Sequence, residues 1–282
     1  MKRSLFGLAL QANRSNRHQP SLETLMGEHS NKNSTEAVDT KSLNQQKEMQ
    51  NADVVVTGVK YFFGKKFVNP QTGQDANMFV STSSGNSYIK TYGGDDVVYL
   101  NADHEGEGLW SGFNEFNTNT LTGGGDDKVY GSVMNDWVVL GEGDDWAIGN
   151  KGDDRLFGCW GNDFLDGGED DDILIGGEGI DVLTGGSGKN DLYGGMHADN
   201  FIVGLTGNAQ DRDRIMDFEI GDKLTLTHNG QLAQWGDWVV EQFMNGVAIV
   251  DTENMDQAAF IAGVSLDDLL FTNGHTVEMQ LA

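Results

Sequence analysis

Nine positions spaced nine residues apart hold Asp127, Asp136, Asp145, Asp154, Asp163, Asp172, Asp181, Asn190 and Asp199. Eight acids and one amide at a fixed interval are a donor set, not a solvated charge run. Carboxylates stacked close together repel one another and call for a counterion. Hard oxygen donors, with no histidine or thiolate at the matching positions, select Ca²⁺ over zinc or copper. Magnesium fits poorly, because it keeps its waters and demands stricter octahedral geometry.

The elements that must present these residues are legible in the same register. From Thr122 the chain divides into consecutive nonads beginning at residues 122, 131, 140, 149, 158, 167, 176, 185 and 194, without insertion or deletion. The acid is position six. Position eight is always apolar: Val129, Val138, Ala147, Leu156, Leu165, Leu174, Leu183, Leu192 and Phe201. Position one is glycine in seven of nine, and position four is glycine except at Met134, Asp170 and His197. Glycine permits positive φ and so lets backbone carbonyls turn toward a common point. A stretch such as Asp172-Ile173-Leu174-Ile175 suits a short strand with one residue in a core and its neighbours outward. Each nonad is then half a coil, and two make a turn of eighteen residues. That places Asp127, Asp145, Asp163, Asp181 and Asp199 on one side, with Asp136, Asp154, Asp172 and Asn190 on the other. The gaps between them offer room for on the order of seven ions.

The pattern resembles the RTX (repeats-in-toxin) hemolysin-type calcium-binding family, whose nonapeptide reads G-G-x-G-x-D-x-U-x. Gly176-Gly177-Glu178-Gly179-Ile180-Asp181-Val182-Leu183-Thr184 fits every fixed position, and residues 185–193 depart only at Asn190. The resemblance is strong over residues 122–202. It implies a parallel β-roll with Ca²⁺ held between loops of successive coils on the same side. Thr91 to Tyr99 has the same frame more weakly, which adds Asp96 as a ligand, with residues 82–90 as a degenerate predecessor. Residues 101–121, including His104, Glu105, Trp110, Phe113 and Phe116, break the period as an insertion or lateral loop.

The expected fold is all-β: a parallel β-roll solenoid with a small β-rich C-terminal cap and a disordered N-terminal tail. Its parts are residues 1–51 as the tail and candidate export signal, 52–121 as a β region with degenerate repeats, 122–202 as the roll, and 203–282 as the cap and export region. The tail is rich in Ser, Asn, Gln and charge. Lys2 and Arg3 before Leu5 to Leu10 imitate a secretory signal peptide, with a poor cleavage site at Leu10-Gln11-Ala12. The acid-free first 22 residues also resemble the unfolded export signals of bacterial type III effectors. In the cap, Trp238-Val239-Val240 and Val247-Ala248-Ile249-Val250 read as strands, and Ser265-Leu266-Asp267-Asp268 as a helix start. From Leu224 to Ala282 there is no Lys or Arg against eight acids, a bias similar to the C-terminal export region of type I substrates.

Charge narrows the partners. Residues 1–66 carry ten basic and six acidic side chains, while the remainder carries eight basic and thirty-eight acidic. Such a field repels nucleic acid and acidic membrane surfaces and attracts cations. Cys159 is the only cysteine, so no intrachain disulfide forms, and no apolar run of eighteen residues marks a membrane-spanning helix. No catalytic motif is present. His104-Glu105 lacks the second histidine of a zinc protease helix, no Gly-x-Ser-x-Gly occurs, and Gly186-Ser187-Gly188-Lys189-Asn190 lacks the ends of a phosphate loop. Trp137 and Trp146 fall on opposite strands and Trp160 at another repeat position, so they do not form a sugar platform. The reading is an exported, extracellular calcium-binding protein, carried by type I or type III machinery and acting on an unknown host or external partner. The alternative is a secreted hydrolase or other enzyme with a cryptic site outside the repeats; pore formation ranks last, for want of long apolar helices.

Overall fold

The computed structural model describes residues 11–12, 48–59, 61–63, 77–82, 87–91, 93–100, 118–206, 208, 210–228, 231–234 and 236–279. Most of the expected N-terminal tail, and residues 101–117 of the expected insertion, lie outside these.

Strands lead into the array from well upstream: β1 (Gln11–Ala12), β2 (Val54–Val59), β3 (Tyr61–Phe63), β4 (Met78–Thr82), β5 (Ser87–Lys90), β6 (Val97–Tyr99) and β7 (Thr118–Gly124). Then come β8 (Lys128–Tyr130), β9 (Asp136–Glu142), β10 (Trp146–Lys151), β11 (Arg155–Trp160), β12 (Phe164–Glu169), β13 (Ile173–Glu178), β14 (Val182–Gly186), β15 (Asp191–Met196) and β16 (Asn200–Leu205). Even-numbered strands from β2 to β18 (Lys223–His228) share one sheet, and odd-numbered strands from β3 to β17 (Asp213–Ile215) share the other. Neighbours are parallel and offset by one eighteen-residue turn, as in Leu156↔Leu174 and Leu165↔Leu183. This is a parallel β-roll.

Every position-eight residue from Val129 to Phe201 is completely buried, forming the ladder between the two sheets. The strands are longer than the repeat suggests, because position one also points inward: Leu174 and Gly176 of β13 are both buried. Trp137 stacks on Phe157 at 5.3 Å and Trp146 leans on Phe164 at 4.6 Å, so these rings pack along the outer faces of different sheets.

Besides the upstream coils, where Val54 pairs with Met78 and Tyr61 with Tyr88, two enlargements flank the regular array. Val97 pairs with Lys128, making a coil of 31 residues, and Asp191 pairs with Arg214, making one of 23. The first enlargement takes up the interruption after β6, which ends before Thr118, earlier than the expected Leu121: residues 118–121 already belong to β7 and pair with β9.

Past residue 205 the parallel pairing continues through β17 and β18 before the sheets are closed. β19 (Gln231–Leu232) folds back on β18. A meander of β20 (Trp238–Phe243), β21 (Gly246–Asp251) and β22 (Gln257–Ala262) covers β17, and the hairpin β23 (Leu269–Thr272) and β24 (Thr276–Met279) covers β18. The expected helix at Ser265 is a single 3-10 turn over Leu266–Asp268. Asp268 accepts hydrogen bonds from Ser265 N–H at 2.9 Å and its hydroxyl at 2.7 Å, and the apolar β23 follows at once. Leu174→Ala removes a fully buried ladder side chain and is expected to cost about 2–5 kcal/mol in urea denaturation of the calcium-loaded protein.

Candidate metal centre

The position-six residues lie where the loops joining the sheets enter the strands, Asp136 already within β9, and are buried, none more than 3% exposed. Each backbone N–H donates to the side chain one coil further on. On the first side the bonds run Asp96 to Asp127 (2.7 Å), Asp127 to Asp145 (2.7 Å), Asp145 to Asp163 (2.9 Å), Asp163 to Asp181 (2.8 Å) and Asp181 to Asp199 (2.9 Å). On the second they run Asp136 to Asp154 (2.7 Å), Asp154 to Asp172 (2.7 Å) and Asp172 to Asn190 (2.9 Å). All ten residues singled out by spacing therefore fall in two ladders.

Both ladders run into the cap through residues that the spacing did not mark. Asp199 N–H donates to Asp222 Oδ1 at 2.9 Å, and Asn190 Nδ2 donates to Asp213 Oδ1 at 2.8 Å. The signal was available: Asp213-Arg214-Ile215 and Asp222-Lys223-Leu224 repeat the acid-x-apolar frame, displaced by the enlarged coil. A second, exposed ladder at position five also went unread. There the donors run the other way, as in Asp144 N–H to Asp126 Oδ1 (3.0 Å) and Asp171 N–H to Asp153 Oδ1 (3.1 Å).

The inner ladder uses one oxygen per carboxylate. Oδ2 of Asp127, Asp145, Asp154, Asp163, Asp172, Asp181 and Asp199 is buried with no hydrogen-bond partner. A Cβ built on Gly158 would lie 2.0 Å from Asp163 Oδ2 and 2.7 Å from the carbonyl oxygen of Gly176. At Gly149 the same construction meets Asp154 Oδ2 at 2.1 Å and Gly167 O at 2.4 Å; at Gly176 it meets Asp181 Oδ2 at 2.2 Å and Gly194 O at 2.6 Å. Position one is thus glycine for space, while positive φ belongs to positions two and four, including Cys159, Asp170 and His197. Over each such glycine a carboxylate oxygen and a carbonyl oxygen converge, which is hard-oxygen donor chemistry suited to Ca²⁺. Among the described residues no three carboxylate, imidazole or thiol side chains form a cluster able to hold a metal, so the shell has to be completed by backbone oxygens.

Two rungs differ. The nonad at 131 lacks the left-handed turn, and Asp136 is satisfied internally by Ser132 N–H (2.7 Å to Oδ2) and Ser132 Oγ (3.2 Å to Oδ1). At Asn190 the amide donates to Asp213, so the contact needs no cation.

The RTX calcium-binding nonapeptide repeat profile, in four copies, matches residues 79–104, 130–165 and 166–200. The array belongs to the RTX repeat family. Its repeats bind calcium, several ions to the array. No curated protein sequence matches the chain. Among solved structures, the extracellular lipase LipA from Serratia marcescens is similar at 16% identity and a TM-score of 0.28, over 64% of this chain and 44% of the lipase chain. The chain therefore spans less than half the length of that lipase. Asp103, His104 and Glu105, the acid/base cluster considered for the enzyme alternative, lie outside the described residues.

Burial first, then neighbouring charge, raises the RTX carboxyls: Asp127, beside Asp96, is pushed up to about 9, and Asp154, beside Asp136, to about 10. Asp172 reaches about 8 and Asp163 about 7, again mainly through burial. Without metal the folded state holds more protons than the unfolded chain above pH ~4, so its stability falls as pH rises through these values. Metal-stripped protein is expected to resist urea best in acid and to weaken steadily from about pH 4 to about pH 10. Over the same interval calcium affinity is expected to rise, with proton release measurable by calorimetry in buffers of different ionisation enthalpy.

Proposed function

We propose that this is an exported calcium-binding protein whose roll folds when the chain meets a calcium-rich exterior, and whose role there is interaction with an external or host partner, of the kind associated with virulence or symbiosis. The observation that carries the reading is the set of seven buried Oδ2 atoms without a donor. Eight adjacent carboxyl pairs occur along the ladders. At the roughly 4.8 Å spacing of strands and an effective dielectric near 20, each ionised pair costs about 3 kcal/mol. Summed over the ladders, that exceeds the roughly 5–15 kcal/mol by which a domain is stable. An ionised, metal-free roll at neutral pH is therefore disfavoured, and calcium converts the same groups from repelling charges to ligands.

We propose that the ions sit on Oδ2 of the ladder aspartates and on the position-one carbonyls. In a low-calcium cytosol the chain stays open, which suits passage through an export channel, and the cation-free acidic region after residue 223 favours a type I route over a type III one. Binding and folding are then a single event outside the cell.

The test is far-UV circular dichroism of metal-stripped protein during a calcium titration, with magnesium as control. A cooperative gain of β signal is expected in the range of roughly 0.1–1 mM calcium, typical of extracellular calcium modules. Asp163→Asn keeps the acceptor for Asp145 N–H but replaces Oδ2 by a donor; it is expected to raise the midpoint and remove about one to two ions. A spectrum already folded in chelator at pH 7 and indifferent to calcium would sink the folding reading.

A further inference from the structure

Outside the ladders, one carboxylate among the described residues shares the state of the ladder aspartates. Asp251 closes β21 and is 2% exposed. Its Oδ1 accepts Glu253 N–H at 2.8 Å, and its Oδ2 is buried with no hydrogen-bond partner. No lysine, arginine or histidine among the described residues forms an ion pair with it, and its own segment after residue 223 contains no lysine or arginine.

Asp251 lines a crevice with Asp256, from the other end of the β21–β22 turn, and with Thr206, Asn208 and Asp211 from the enlarged last coil. The turn is pinned by Asp251 N–H to Asp256 O at 2.9 Å and by a left-handed Met255. Across the crevice Asp211 is held by the Thr206 hydroxyl at 2.9 Å, Asn208 Nδ2 at 3.0 Å and Gly188 N–H at 3.1 Å. The crevice has no space for a water molecule, still less an organic ligand. The buried oxygen is therefore not waiting for a bridging water.

We infer that Asp251, with Asp256 and the oxygen-rich loop face of Thr206, Asn208 and Asp211, forms a separate divalent-cation site that ties the cap to the last coil of the roll. Apart from the amide nitrogens of Asn208 and Gln257, the polar side-chain atoms lining the crevice are hard oxygens, so the fitting guest is Ca²⁺, which contacts oxygens at about 2.3–2.6 Å, closer than a hydrogen-bonded water. The side-chain carboxylates alone are too few, and backbone oxygens of the turn complete the shell.

The experiment counts ions on the full chain by equilibrium dialysis with radioactive calcium, for the wild type, Asp251→Asn and Asp163→Asn, together with hydrogen exchange of the segments around Asn208 and Thr252. Asp251→Asn preserves the acceptor for Glu253 N–H. It is expected to bind one ion fewer, to lose the calcium-dependent protection of both segments, and to keep the calcium-driven circular dichroism transition of the roll. Asp163→Asn is expected to lower the count while leaving both segments protected in saturating calcium. If Asp251→Asn does not fold in saturating calcium, Asp256→Asn replaces it in the same two measurements. An unchanged ion count with unchanged protection in the variant that folds overturns the cap site and leaves the roll sites standing; a wild type that binds no calcium overturns both.

Discussion

Each coil of the roll reaches the next through a backbone N–H that donates to a buried aspartate, and a carboxylate has two oxygens. One is used in that bond; the other sits where neither water nor a protein donor arrives. The fold therefore ties its own regularity to a liability. Bringing the coils into register buries the very charges that resist register. The glycines at position one, the left-handed turns at positions two and four, and the apolar ladder at position eight all serve to hold that aspartate at one depth, coil after coil. Remove the counterion and the same geometry becomes repulsive, which is how a structural repeat acquires sensitivity to its ionic surroundings.

The array was legible because each requirement is local. An acid followed two residues later by an apolar residue describes a loop end entering a strand, and the nine-residue interval converts directly into two columns. Asp213 and Asp222 kept that local frame but lost the interval when the last coil grew to 23 residues. Position five carries no constant residue type, ranging over Asp, Asn, Ile180, Lys189 and Ala198, and only the eighteen-residue partner reveals what its acids and amides do. β2 lies outside the matched repeats and joins the sheet by pairing with β4, while β4 is tied to the first ladder by Met78 N–H donating to Asp96 Oδ1 at 2.7 Å. Asp251 stands out only once the cap is folded, since nothing near it in sequence distinguishes it from any acid at the end of a strand.

The ladders are also not uniform along their length. Ser132 satisfies Asp136 and Asn190 engages Asp213 without a cation, so the second side is held by ordinary hydrogen bonds at both ends and by unpartnered Asp154 and Asp172 between them. On the first side Asp127 has relief from the Thr122 side chain, and from Asp145 to Asp199 there is none. The two flanks thus differ in how many buried carboxylate oxygens lack a partner, and on the second side those oxygens sit in the middle.

A stack of identical coils has no inherent length, and a copy of the molecule placed end to end would present the same repeat. On the first side the last rung does not pass the pattern on. Asp222 accepts from Asp199, but its own N–H turns back to Glu219 O at 3.1 Å, where every earlier rung offers its donor onward. Beyond it β24 lies antiparallel across β18, reversing the strand direction that another coil would need. On this side the coil-to-coil chain of hydrogen bonds is thus closed off inside the molecule, and the sheet goes on from there by antiparallel pairing instead of by repeats.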